Sequence, residues 1–177
     1  MALQNSNETL FKEQQRFKQW WLWLILLAVN GLFIFGFFKQ VIGGHPFGDK
    51  PMSNTGLIIA TSITFLLSLL FLNFRLDTKI TNDGIYVRFF PIHIRLKFYS
   101  WDQLNQSYIR QYSALTEYGG WGFRIGLGKS GNAFTVSVNK GLQLKFKDNK
   151  KLLIGTNKSD QLREILIKIG QLKMIVT

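Results

Sequence analysis

The stretch EYGGWGFRIGLGKSGN, residues 117–132, concentrates six glycines, a tryptophan, an arginine and a lysine in sixteen positions, and two strings within it read like phosphate-binding loops. Gly126, Gly128 and Gly131 spell G-x-G-x-x-G. A dinucleotide site needs that string between a strand and a helix, because the helix N-terminus supplies the N–H groups and the positive dipole that receive the pyrophosphate. The residues that follow, NAFTVSVN, alternate as a strand does, so that end is missing. Gly128-Lys129-Ser130 mimics the close of a P-loop, but the glycine such a loop needs further upstream is replaced by Phe123, with Gly122 one residue out of place.

Other chemistry fares no better. The chain has no cysteine, which removes disulfides, thiol nucleophiles and thiolate metal sites together. Its two histidines, His45 and His93, lie in different halves, and His93 reads as an ordinary strand residue. Asp83, Asp148 and Asp160 have turn or cap explanations, and no carboxylate pair of the kind general acid–base catalysis uses stands out. Ser100, Ser107, Ser113, Ser130, Ser137 and Ser159 have no base near them in sequence. The expectation is a non-enzymatic protein with no catalytic residue, no metal site and no cofactor.

What remains is charge. The net charge is +12, and Arg75–Thr177 carries 17 Lys and Arg against 7 Asp and Glu. Arg95, Lys97, Lys145, Lys147, Lys150 and Lys151 are expected to project from the solvent side of strands or from a hairpin tip, as a basic surface for an acidic lipid headgroup or an acidic protein. Arg124 either pairs with Glu117 or Asp102 or joins that surface. Basic residues interleave with aromatics in YVRFF and RLKFY, but in half-buried strands such aromatics are core, so nucleic acid is set aside.

The elements that must position these residues begin with two apolar blocks. Residues 20–38, WWLWLILLAVNGLFIFGFF, have Asn30 as their only strongly polar side chain, and residues 55–74, TGLIIATSITFLLSLLFLNF, carry no charge. Each matches the roughly 20 residues that a bilayer core requires, so both read as transmembrane helices that remain in the mature protein. Lys12, Arg16 and Lys18 before the first block, and Arg75, Lys79 and Arg88 after the second, predict cytoplasmic termini and a multi-pass protein of the inner membrane. Residues 39–54 then form a short non-cytoplasmic loop. In residues 1–19 the placement of Leu10, Phe11, Phe17, Trp20 and Trp21 reads as an amphipathic interfacial helix or as a simple extension of the span.

From residue 75 the pattern changes to period two, the mark of half-buried strands. Ile85, Val87 and Phe89 alternate with Tyr86 and Arg88; Leu96 and Phe98 alternate with Arg95, Lys97 and Tyr99; Val136 and Val138 flank Ser137. Residues 142–147 and 151–154 are expected to form a hairpin closed near Asp148 and Asn149, and residues 82–84 another tight turn. Leu162, Ile165, Leu166 and Ile169 recur at helical spacing behind Ser159, a candidate N-cap. The expectation is an α+β chain: a transmembrane hairpin, then a cytoplasmic domain over residues 75–177 of about seven strands in an antiparallel barrel or sandwich, capped by one C-terminal helix.

ITNDGIYVRFFP, YSWDQL, YGGWGFR, NKGLQLKF and LLIGT, in this order and followed by a helix, resemble the bacterial pleckstrin-homology-like membrane proteins over residues 76–170. Tyr118, Gly119, Gly120, Trp121 and Gly122, with Ile154, Gly155 and Thr156, are the most specific part. Phe123 departs from the usual aliphatic residue, and Asp148-Asn149 stands where the turn often carries glycine. The resemblance implies two roughly orthogonal antiparallel sheets of seven strands in all, with the helix plugging one end, and a binding role rather than an activity. Trp121 is expected to anchor the core where the glycines let the chain bend. Two functions follow as expectations: a membrane-anchored binding module, or a structural protein acting by self-association as a homo-oligomer.

Overall fold

The computed structural model describes residues 8–126 and 130–173. It divides into two units: Lys18–Asn73, and the residues before Lys18 taken together with those from Phe74 onward.

The first unit is a pair of apolar helices. Helix α1 (Trp20–Gly36) runs on as a π-helical segment (Phe37–Ile42), and α2 (Asn54–Asn73) follows. The spans Trp20–Ile42 and Asn54–Asn73, 23 and 20 residues at mean hydropathy 2.2, are long and apolar enough to cross a membrane. The first extends past the expected residue 38 and takes Lys39 out of the loop. Buried Gln40 accounts for this end: its Nε2 donates to Met52 O at 2.7 Å and Asn54 Oδ1 at 2.9 Å, and its Oε1 accepts the Phe47 N–H at 3.1 Å. Asn30, the polar exception in the first span, donates to Ser68 Oγ of the other helix at 2.7 Å.

Among the described residues the second unit is α+β as expected, but it holds nine strands in two sheets rather than the expected seven, Phe11–Arg16 and the short Gly122–Arg124 and Asn132–Thr135 among them, with neither sheet closed into a barrel. Strands β1 (Phe11–Arg16), β2 (Arg75–Ile80), β3 (Gly84–Phe90) and β4 (Lys97–Ser100) form an antiparallel sheet in chain order. Strands β5 (Leu104–Gln111), β6 (Gly122–Arg124), β7 (Asn132–Thr135), β8 (Lys140–Phe146) and β9 (Lys151–Gly155) form the second, ordered β5-β8-β9-β7-β6, with β7 and β9 parallel. The β8–β9 hairpin turns at Asn149, whose φ is 64°, as the turn chemistry predicts.

The N-terminal segment corrects the sequence reading. Residues 11–16 are neither an interfacial helix nor an extension of α1. They are a strand whose Arg16 faces Arg75 and whose Phe11 faces Ile80. Burial alternates along β1, placing Phe11, Glu13 and Gln15 inward. Two of these three are polar, which hid the period, and their partners lie far along the chain. Gln15 Nε2 donates to Gly155 O at 2.7 Å, and Glu13 accepts from Thr156 Oγ1 at 2.6 Å and the Asn157 N–H at 2.8 Å. The folded unit is thus not residues 75–177 alone; the two apolar helices are inserted between its first two strands.

The core joins both sheets to the C-terminal helix α4 (Ser159–Lys168). Leu76, Ile80, Ile85, Val87 and Phe89 meet Phe134, Leu142, Leu144 and Ile154, with Leu162 and Leu166 from α4. Burying such side chains is worth roughly 1.5–3 kcal/mol each. Ser159 is the first helical residue rather than the cap, which falls at Lys158, whose N–H donates to Thr156 Oγ1 at 3.0 Å. Strand β4 shows the opposite face from that expected. Tyr99 packs on the core, while Phe98 lies outside at 4.6 Å from the Tyr86 ring, because RLKFY has large side chains on both parities and pairing with β3 decides between them. Strand β7 ends at Thr135, so the expected alternation through Val138 is cut short; Ala133, Phe134 and Thr135 are all buried beside β9.

Candidate functional site

The β8–β9 hairpin lies beside the chain that leaves β4. Lys147 N–H donates to Gln103 O at 3.0 Å, and the Tyr99 and Phe146 rings meet at 5.3 Å. Between them opens a cleft of about 560 Å³, to which Lys147, Lys150 and Lys151 bring ammonium groups, Asp102 and Asp148 carboxylates, and Asn132 an amide. Lys150 Nζ pairs with Asp148 Oδ2 at 2.7 Å, and this pair is well exposed. Its mutual attraction pulls the Asp148 carboxyl below and pushes the Lys150 ammonium above their ordinary values, the side-chain hydrogen bond being the leading cause for each. The arrangement sets three ammonium groups and two carboxylates around the Tyr99 and Phe146 rings.

Three of the seven basic residues expected to act together are therefore brought together. Lys145 sits on the neighbouring sheet surface with its ammonium 5.6 Å from the centroid of the Tyr108 ring. Arg95 and Lys97 belong to the other sheet, in and just after the loop that follows β3. Arg124 is on β6, at the edge of the second sheet, with its guanidinium against Gly120. It does not hold Glu117; Arg110 does, at 2.7 Å. That hydrogen bond leads the lowering of the Glu117 carboxyl, which burial opposes. Arg110 also donates to Tyr118 Oη at 3.0 Å.

The glycine-rich run turns the chain between a short helix and a strand. Residues 114–118 form the short helix α3, after which Gly119, Gly120 and Gly122 all take positive φ. Trp121 packs with Tyr112, Ala114, Ala133 and Leu153 in a satellite cluster. The tryptophan of the main core is instead Trp101, 4% exposed, whose Nε1–H donates to Thr81 O at 3.1 Å. In the G-x-G-x-x-G string, Gly128 lies outside the described residues, as does Lys129. A Cβ on Gly126 would stand 2.0 Å from Gly131 O, and one on Gly131 would stand 2.5 Å from Lys151 Cβ. These glycines permit a tight neck beside β9, and β7 follows directly. Ile154, Gly155 and Thr156 close β9, receive Gln15 and Glu13 from β1, and lead into α4.

His93 is not a strand residue. It sits in the turn after β3, its ring 5.1 Å from that of Phe123 and 5.3 Å from that of Phe134, with Nδ1 accepting the Phe89 N–H at 3.4 Å. Burial, aided by the charge of Lys97, lowers its pKa from the ordinary 6.5. Among the described residues, no group of three or more His, Asp or Glu is placed to hold a metal ion. The cleft-lining Tyr99, Asp102, Gln103 and Asn132 escaped sequence reasoning, since nothing local marks residues whose common feature is proximity to a distant hairpin. No family model, no curated protein and no solved structure matches this chain.

Proposed function

We propose that this protein is a membrane-anchored binding module of pleckstrin-homology-like fold, holding an acidic segment of a protein partner in the cleft of Lys147, Lys150 and Lys151 at the cytoplasmic face of the inner membrane. The fold reading is supported by two sheets that share one core with a C-terminal helix. The membrane reading is supported by helices that are apolar all round yet leave most of their large side chains exposed, an arrangement stable only in an apolar solvent. Since β1 and β2 share one ladder, a chain that leaves after Arg16 and returns before Arg75 comes back to its own side of the bilayer.

The observation that carries the choice of ligand is the position of the cleft along the first sheet. Arg16, Arg75 and Phe90 mark the end where the chain joins the helices. Tyr99, Asp102 and Gln103 belong to the opposite end, where Trp101 N–H donates to Asp83 O at 3.3 Å. A six-residue strand separates the two ends by about 17 Å. The cleft thus opens at the end of the sheet away from the chain's connections to the helices, and an acidic protein segment is the ligand its three ammonium groups fit.

The test uses the full chain in nanodiscs of neutral lipid, titrated with a fluorescent poly-glutamate peptide and, separately, with glycerophosphoglycerol. Saturable, salt-sensitive peptide binding that disappears in Lys147→Glu/Lys151→Glu is the expected result. Binding of the headgroup alone, or peptide binding indifferent to those substitutions, refutes the assignment.

A further inference from the structure

The loop between β3 and β4, together with Lys97 and Phe98 at the start of β4, presents an unusual surface. Ile92, Ile94, Leu96 and Phe98 are 50%, 76%, 45% and 46% exposed, and they alternate with His93, Arg95 and Lys97. Scattered exposed apolar residues need no explanation, but four at alternate positions, interleaved with cations, do.

The loop is held firmly enough to make this exposure deliberate. His93 is the inward anchor: its ring lies edge-on to Phe123 and Phe134, its Nδ1 accepts from Phe89 N–H, and its own N–H donates to Phe89 O at 2.7 Å. With His93 turned in, its neighbours Ile92 and Ile94 are turned out. Arg88 pins the far side, donating to Ile94 O at 3.2 Å while its other nitrogens hold Asp77 at 2.6 and 3.0 Å. The loop is therefore braced from both sides, with Ile92, Ile94 and Leu96 exposed and the exposed basic residues Arg95 and Lys97 interleaved with them.

Its place in the sheet supplies the occupant. The loop leaves β3 at Phe90, which faces Arg75, which in turn faces Arg16. These three residues form the end of the sheet from which the chain departs for α1 and to which it returns from α2. Phe17 and Phe74, the next residues outward, pack ring to ring at 6.1 Å, and Phe74 packs on Phe89 at 5.7 Å.

We infer that residues 91–98 form a bilayer-contact loop: Ile92, Ile94 and Leu96 enter the interfacial region of the leaflet that anchors the helices, and Arg95 and Lys97 meet its anionic phosphates. The chemistry is that of interfacial elements generally, apolar side chains flanked by cations. A loop this close in chain terms to two membrane helices meets lipid at high effective concentration. The inference rests on the helices spanning a bilayer, and not on the identity of the ligand in the lysine cleft.

Because the chain lacks cysteine, single labels can be placed at will. The full-length protein carrying Ile94→Cys, labelled with a polarity-sensitive fluorophore, is reconstituted in phosphatidylcholine/phosphatidylglycerol vesicles containing nitroxide lipids. Leu66→Cys in α2 and Asn149→Cys at the hairpin tip serve as comparators. The Ile94 label should be blue-shifted and lose intensity to lipid-borne nitroxide well beyond the Asn149 label, with the difference shrinking when Arg95→Glu and Lys97→Glu are added. If Leu66 is quenched but Ile94 behaves as Asn149 does, the loop assignment alone is overturned. If the Ile94 label is shielded from aqueous iodide yet untouched by lipid nitroxide, a protein surface such as a second copy covers it, and the assignment is likewise overturned. If Leu66 is not quenched, the spanning reading fails and the loop assignment falls with it.

Discussion

Removing residues 1–74 should unfold the remaining chain, whereas removing only the helices should not. Residues 75–177 lack β1, and with it Phe11, 2% exposed, and the buried Glu13 and Gln15. Losing a buried phenylalanine costs about 3–5 kcal/mol. The two hydrogen bonds to the Glu13 carboxylate contribute roughly 1.5–3 kcal/mol each, and that from Gln15 about 1 kcal/mol. The total, about 7–12 kcal/mol, is comparable with the entire stability of a domain, about 5–15 kcal/mol. By contrast, Phe17 and Phe74 continue the antiparallel register in which Arg16 faces Arg75, so a two-residue Asn-Gly turn can join them. A chain of residues 8–17, Asn-Gly and 74–177 should be monomeric and unfold cooperatively in urea, followed by the fluorescence of its two tryptophans, Trp101 and Trp121, and by far-ultraviolet circular dichroism. Residues 75–177 should show no cooperative transition. Equal midpoints for the two chains would refute the assignment of β1 to the fold.

In the same fused chain, Trp101→Ala should cost about 3–5 kcal/mol in urea unfolding, while Trp121→Ala, at the satellite cluster, should cost about 1–2 kcal/mol. Asn30→Ala should weaken the pairing of α1 with α2 by about 0.6–2 kcal/mol, read as a lower detergent midpoint for dissociation of a chain nicked in the 43–53 loop. His93 sets a pH dependence: its folded pKa lies below the unfolded 6.5, so the unfolded state binds the extra proton. Its contribution should be complete above pH 6.5 and be lost as pH falls toward the lowered value, and His93→Gln should flatten that slope in thermal melts.

The helices were legible because a bilayer-length apolar run needs no partner to be recognised. Alternating strands such as β3 were legible for a similar reason, since one face of Ile85, Val87 and Phe89 announces itself. What could not be read were the residues whose burial is satisfied from afar. Glu13 and Gln15 look like solvent-facing polar residues until Gly155, Thr156 and Asn157 arrive to receive them. Tyr99 and Phe98 compete for one inward position, and neither propensity nor period ranks them. The cleft lysines stood out by charge, but their division from Arg95 and Lys97 depends on which sheet each strand joins. Gly119, Gly120 and Gly122 turn the chain between α3 and β6, and the main core holds Trp101 where Trp121 was expected.

The insertion of the helical pair between β1 and β2 also has a consequence for biosynthesis. Strand β1 leaves the ribosome before both apolar helices, and its ladder partner follows roughly 60 residues, or about 3–12 s, later. During that interval Phe11 and the edge of β1 are bare, and Glu13 waits longer still for Thr156 and Asn157. The last contacts of the domain thus close only after both helices have been delivered. If the two helices span a bilayer as proposed, a chain that inserted one and failed on the other would leave β1 and β2 in different compartments, unable to pair. Such a chain would display an unpaired sheet edge and be open to proteolysis.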